Sequence, residues 1–133
     1  MNKYSIFILT LLLSACAVKV DQSDAKRVAE SLLNDIKEGN YDNIDQYYSD
    51  LSNESEPLET KKIRFRQLEE VTGRIKSFEF MNAKEEYDSD KGLNQLTLNY
   101  KVFCEKVTVV QTFLFINDEG KSKIIFQNIE NLK

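Results

Sequence analysis

Histidine and tryptophan are missing from the chain, proline occurs once, cysteine twice and glycine four times. Without histidine, Ser-His and Cys-His nucleophilic catalysis are excluded, and the commonest transition-metal ligand is lost. The low glycine and proline counts exclude collagen-like and linker-like chains, and two cysteines cannot make a disulfide scaffold. No apolar run reaches the roughly 20 residues needed to cross a bilayer as a helix. Basic residues do not prevail either: 18 stand against 22 acidic ones, a net −4. Such a balance gives no general attraction to nucleic acid or anionic lipid, so no nucleic-acid partner is expected.

What is present begins at the N-terminus. One basic residue, Lys3, precedes the apolar run Ile6 to Leu13, which ends in Leu13-Ser14-Ala15-Cys16. A charged start, a short apolar stretch and a small-residue cleavage site have the layout of a secretory signal peptide. The last four residues resemble the lipobox of bacterial lipoproteins. That resemblance implies cleavage between Ala15 and Cys16, a diacylglyceryl (palmitate-type) thioether on Cys16, and acylation of the new amino group. Two or more acyl chains make a durable membrane anchor, where one holds only marginally. Ala17, rather than Asp, follows the cysteine, which by the same resemblance favours the periplasmic face of the outer membrane in a two-membrane organism. An ordinary signal peptide cut after Ala15 is the plainer alternative.

Residues 1–15 are thus expected to be signal peptide, 16–23 the lipidated cysteine and a polar tether, and 24–133 one folded domain. Removal of the peptide takes Lys3 with it, shifts the net charge from −4 to −5 and leaves a single-domain length. Cys104 then has no partner. The alternation through Leu98, Tyr100, Val102 and Cys104 places it on one strand face as a small buried hydrophobe.

From Asp24 the apolar spacing is helical, with Ala25, Val28, Ala29, Leu32, Leu33 and Ile36 on one side. Ser23 or Asp24 is placed to cap this helix and Gly39 to end it. A short second helix is expected to present Ile44, Tyr47, Tyr48 and Leu51, followed by a polar loop from Ser52 to Glu56. Pro57 opens a third helix with Leu58, Phe65, Leu68 and Val71 as its stripe, closed by Gly73. The period then changes to two. Strands are expected over 74–87, with a bulge near Phe80, over 96–104, over 107–116 and over 122–129. The third is apolar on both faces and should be central. Three helices followed by four antiparallel strands is an α+β pattern, with N-terminal helices packed on a curved four-stranded sheet.

Gly39-Asn40-Tyr41-Asp42 between the first two helices, and Gly73-Arg74-Ile75-Lys76-Ser77-Phe78 opening the first strand, resemble turns of the nuclear transport factor 2-like (NTF2-like, cystatin-like) superfamily. The resemblance covers roughly residues 24 to 131. It implies a cone, a curved sheet wrapped over helices with a pocket at the wide end. Tyr47, Tyr48 and Tyr100 would then line the mouth for a small apolar ligand, or simply pack there with their hydroxyls at the rim.

Little else carries chemistry. Asp88-Ser89-Asp90-Lys91-Gly92 starts like a calcium loop, but glycine stands where the third ligand belongs, so it reads as a turn and no metal or cofactor is expected. Six acids between Asp42 and Glu59, followed by Lys61, Lys62, Arg64 and Arg66, form either ordinary solvated faces or a bipolar docking surface. The expectation is a non-catalytic, membrane-anchored binding module of the cell envelope, with an envelope protein or a small apolar ligand as partner. The alternative is an isomerase or dehydratase of the same superfamily, which would need an Asp or Glu buried in its pocket.

Overall fold

The computed structural model describes residues 18–132. The expected signal peptide and lipobox, with Ala15 and Cys16, lie outside them.

Helix α1, Gln22–Glu38, buries all six apolar positions that the spacing marks. It starts ahead of Asp24 because Asp21 is the cap, accepting from the Asp24 N–H at 3.2 Å. Asp24 is instead held by Arg27 at 2.8 Å and by the Ser122 N–H at 3.1 Å. Those bonds, that from Arg27 foremost, hold its carboxyl below the usual carboxylate range. A carboxylate depressed in the folded state adds stability above its unfolded pKa and loses it as pH falls through the folded value. Asp24→Asn should therefore destabilise the protein at neutral pH and flatten the acid limb of stability below about pH 4. Urea midpoints measured across that range would show it.

Gly39, at φ 74°, ends α1 in the left-handed conformation. The next helix is shorter and more broken than its spacing predicts: a 3-10 turn, Ile44–Tyr47, then α2, Asp50–Ser55. Tyr48 lies between them in extended conformation, bridged to Ile124, and the Ser49 N–H donates to the Ile124 carbonyl at 2.9 Å. Pairing with a strand edge thus wins over helix continuation. Leu51 is left exposed, and the expected loop at 52–56 is mostly helix.

Helix α3, Leu58–Thr72, follows Pro57 and ends at Gly73. Phe65 is buried and Leu58 and Leu68 half-buried, but Val71 points outward. The inward stripe runs Leu58, Lys61, Phe65, Leu68, Thr72, and Val71 lies off it by about 100° of helical turn.

The four strands, β1 Ile75–Asp88, β2 Leu93–Cys104, β3 Thr108–Asp118 and β4 Lys121–Asn131, pair antiparallel in the order β1-β2-β3-β4. Register slips between Phe80 and Asn82, where the sequence places the bulge, and again between Ile75 and Ser77. Central β3 buries Val109, Gln111, Phe113 and Phe115 against the helices, while Leu114 and Ile116 on its other face stay half-exposed. Tyr100 sits at the middle of the core with Phe78, Phe80 and Phe113 packed edge-on around it, centroids 6.1, 5.6 and 6.0 Å away. The fold is α+β, three helices on one face of a four-stranded antiparallel sheet. Its two ends differ. The β1–β2 and β3–β4 turns share one end with the start of α1. The β2–β3 turn shares the other with the last turns of α1 and α3.

Candidate functional site

The three tyrosines expected at a pocket mouth each have their own partner. Tyr47 donates to Asp35 Oδ2 at 2.5 Å, and Tyr100 donates to Glu30 Oε2 at 2.9 Å. Tyr48 is buried and donates to Gln127 Oε1 at 2.5 Å. Burial, reinforced by Asp35, pushes the Tyr47 hydroxyl up to about 12, and burial raises Tyr48 and Tyr100 further. The main hollows of the described residues are lined by neither Tyr48 nor Tyr100. Tyr47 borders an open polar hollow of about 360 Å³, shared with Asp35, Asn40, Asp42, Asn43 and Gln46. The rings are core and edge packing, and the structure does not gather them around a cavity.

Half of the acidic and basic groups of 42–66 pair with one another, Asp42, Glu56 and Glu59 with Lys62 and Arg64. Lys62 pairs with Asp42 at 2.8 Å and Glu59 at 3.4 Å, and Arg64 grips both Glu56 oxygens at 2.9 Å. Lys61 is buried, donates to Asn53 Oδ1 at 2.8 Å and to the Glu56 carbonyl, and lies 4.5 Å over the Tyr48 ring. Burial lowers its pKa. The Lys61 and Arg64 bonds tie the end of α2 to α3, while Asp45, Asp50, Glu54 and Arg66 take no part in the described ion pairs. The Asp88 turn is self-contained, its carboxylate accepting from the Asp90 and Lys91 N–H groups.

A different feature has the makings of a site. Where α1 and α3 end, a narrow crevice opens between the helices and the first residues of β1 and β3. Ile36, Phe65, Leu68, Ile75 and Val109 give it apolar walls, and Cys104, Thr72 and Gln111 reach it as polar groups. Its open room is about 20 Å³. That is enough for about one water, so a larger guest has to part the walls. Lys37 and Arg74 stand at the rim, the latter 3.4 Å from Glu69. Burial pushes the Cys104 thiol up, so at neutral pH it is a protonated, weakly nucleophilic group.

Gln111 is 2% exposed. Its Oε1 accepts from Gln127 Nε2 at 2.9 Å, and Gln127 Oε1 in turn accepts from Tyr48. The Arg64 guanidinium lies beside the Tyr48 hydroxyl and has only donors to offer. The chain of bonds runs from Tyr48 through Gln127 to Gln111. It terminates in the Gln111 Nε2–H group, which no acceptor among the described residues takes. No buried side-chain polar atom of the described residues lacks a partner, so this amide opens onto the crevice.

Gln111 and Lys61 had a sequence signal. Each is a polar residue in the inward phase of an otherwise apolar stripe, Val109-x-Gln111-x-Phe113 on the strand and Leu58, Lys61, Phe65 on the helix. The convergence of Gln111 with Thr72 and Cys104 had none, since it depends on how α3 is laid across the sheet. No protein-family model and no curated protein matches the chain.

Proposed function

We propose that this chain is a lipid-anchored binding module of the bacterial cell envelope, built on an NTF2-like domain and held by Cys16. It takes a small ligand with an apolar body and a hydrogen-bond acceptor. The observation that carries the reading is the Gln111 N–H, a donor without an acceptor among the described residues, at the crevice. Apolar walls with one oriented polar group are the usual make-up of a small-molecule site, and the Lys37 and Arg74 charges at the rim are offset by Glu38 and Glu69. The buried polar residues of the described chain are Ser49, Lys61, Thr72, Gln111 and Ser122. An amide and a hydroxyl suit recognition, whereas proton transfer calls for a tuned carboxylate.

Hexanoate is the probe for this site, with hexylamine as its mirror in charge and hydrogen bonding. In amide NMR titrations hexanoate should move the signals of Ile36, Cys104 and the Gln111 side chain, and hexylamine should not. Gln111→Leu should weaken hexanoate about tenfold, the worth of one hydrogen bond to a charged group. Absence of any response to hexanoate would remove the crevice as a site. The anchor is tested separately: Cys16→Ser should shift the protein from the membrane to the soluble fraction, or block its processing. A variant that is processed and stays on the membrane would mean another mode of attachment.

A further inference from the structure

The segment entering α1 is strapped across one end of the sheet. The Val18 carbonyl accepts from Asn94 Nδ2 at 3.0 Å and the Lys19 carbonyl from Asn117 Nδ2 at 3.2 Å. Lys19 Nζ lies 4.0 Å from Glu85, Val20 is buried, and Asp24 holds the Ser122 N–H. Residues 18–24 therefore touch all four strands, at the end where β1 turns into β2 and β3 into β4. Cys16 is two residues from Val18, at most about 7 Å of chain. The polar tether expected to reach Ser23 is thus mostly docked structure, and the leash is far shorter than its sequence predicts.

Three of the nine exposed large apolar side chains of the described residues lie at this same end: Val18 at 52% exposure, Tyr87 at 62% and Leu93 at 38%. Tyr87 and Leu93 flank the β1–β2 turn. An aromatic ring with a polar tip suits the headgroup boundary of a membrane. The two turns carry Asp88, Asp90, Asp118 and Glu119 against Lys91 and Lys121. That excess of acid disfavours anionic lipid and suits zwitterionic headgroups.

We propose that this end of the sheet lies against the lipid surface, seated on Val18, Tyr87 and Leu93. The crevice then faces away from the membrane, about 25 Å off along the 17 residues of α1. The inference rests on the reading of Cys16 as the anchor, and adds to it which face of the domain meets the lipid.

With no tryptophan in the chain, a single introduced indole reports without background. Tyr87→Trp, Leu93→Trp and Val71→Trp are made in the full chain, purified from membranes and placed in phosphatidylcholine vesicles brominated near the headgroup. Val71 is the control, an exposed apolar residue (73%) on the last turn of α3. Emission should be lost at Tyr87→Trp and Leu93→Trp and kept at Val71→Trp. The mass of the N-terminal peptide, measured on the same sample, reports the lipid on Cys16. Lipidated protein with equal quenching at all three positions, or with most at Val71→Trp, overturns the orientation alone. Protein without the lipid overturns the anchor and the orientation with it.

Discussion

Replacing Tyr100 by alanine should lower the free energy of unfolding by about 4 kcal/mol, the cost of emptying a large aromatic site in a packed core. The ring is fully buried, with Phe78, Phe80 and Phe113 against its faces and edges. Its deletion strips a partner from all three at once, and those aromatic pairs are worth more than their area alone. Tyr100→Phe keeps the ring and gives up only the bond to Glu30, so it should cost about 1 kcal/mol. Urea unfolding of both variants separates the two contributions. A loss near 1 kcal/mol for Tyr100→Ala would mean that the core closes over the gap, and would undo the account of Tyr100 as its centre.

Gly73→Ala should be nearly as damaging, at about 3 kcal/mol. Gly73 has φ 78° and ψ 179°, a region that side-chain-bearing residues essentially never occupy. A Cβ built there would sit 2.7 Å from the Glu105 Cβ and 3.2 Å from the Lys106 nitrogen. Relaxation is blocked because the β2–β3 turn is bonded to this junction from both sides. Glu105 N–H donates to the Arg74 carbonyl and Lys106 N–H to the Thr72 carbonyl, each at 2.9 Å. Gly39→Ala is the matched control: its φ is also positive, at 74°, but nothing lies within 4 Å of the added carbon. It should cost only about 1 kcal/mol. Equal losses at the two glycines would mean that backbone conformation alone matters and the tight junction does not.

Both sites show how far sequence patterns reach. The inward face of α1 and the alternation of β2 and β3 were legible because period alone determines which side chains share a surface. The bulge beside Phe80 was legible for the same reason, since two phases of alternation met there. The break at Tyr48 was not, because the bond that decides it comes from Ile124, far along the chain. Val71 was misplaced because an apolar residue one position off the stripe resembles one on it. Lys61 was missed because a long basic side chain can bury its stem and still satisfy its ammonium locally. The tyrosines were placed at a pocket mouth by the resembled fold, with packing as the alternative, and their hydroxyl partners favour the packing. Gln111 shows the remaining limit. Its place on the strand follows from alternation, but its free N–H follows from a relay of Tyr48 and Gln127 that spans turn and sheet.

The strap at residues 18–20 also decides how the domain bears a mechanical load. A pull on the N-terminus enters at Val18 and Lys19, whose carbonyls are tied to Asn94 and Asn117 on the two central strands. The first turn of α1 lies behind those ties, and its own Asp24 is fastened to β4. Tension is thus divided among three side-chain bonds to separate strands before it reaches the helix axis. Peeling α1 from its N-terminus would require breaking them together. The far end of the helix, where Ile36 borders the crevice, stays shielded from tugging at the other end.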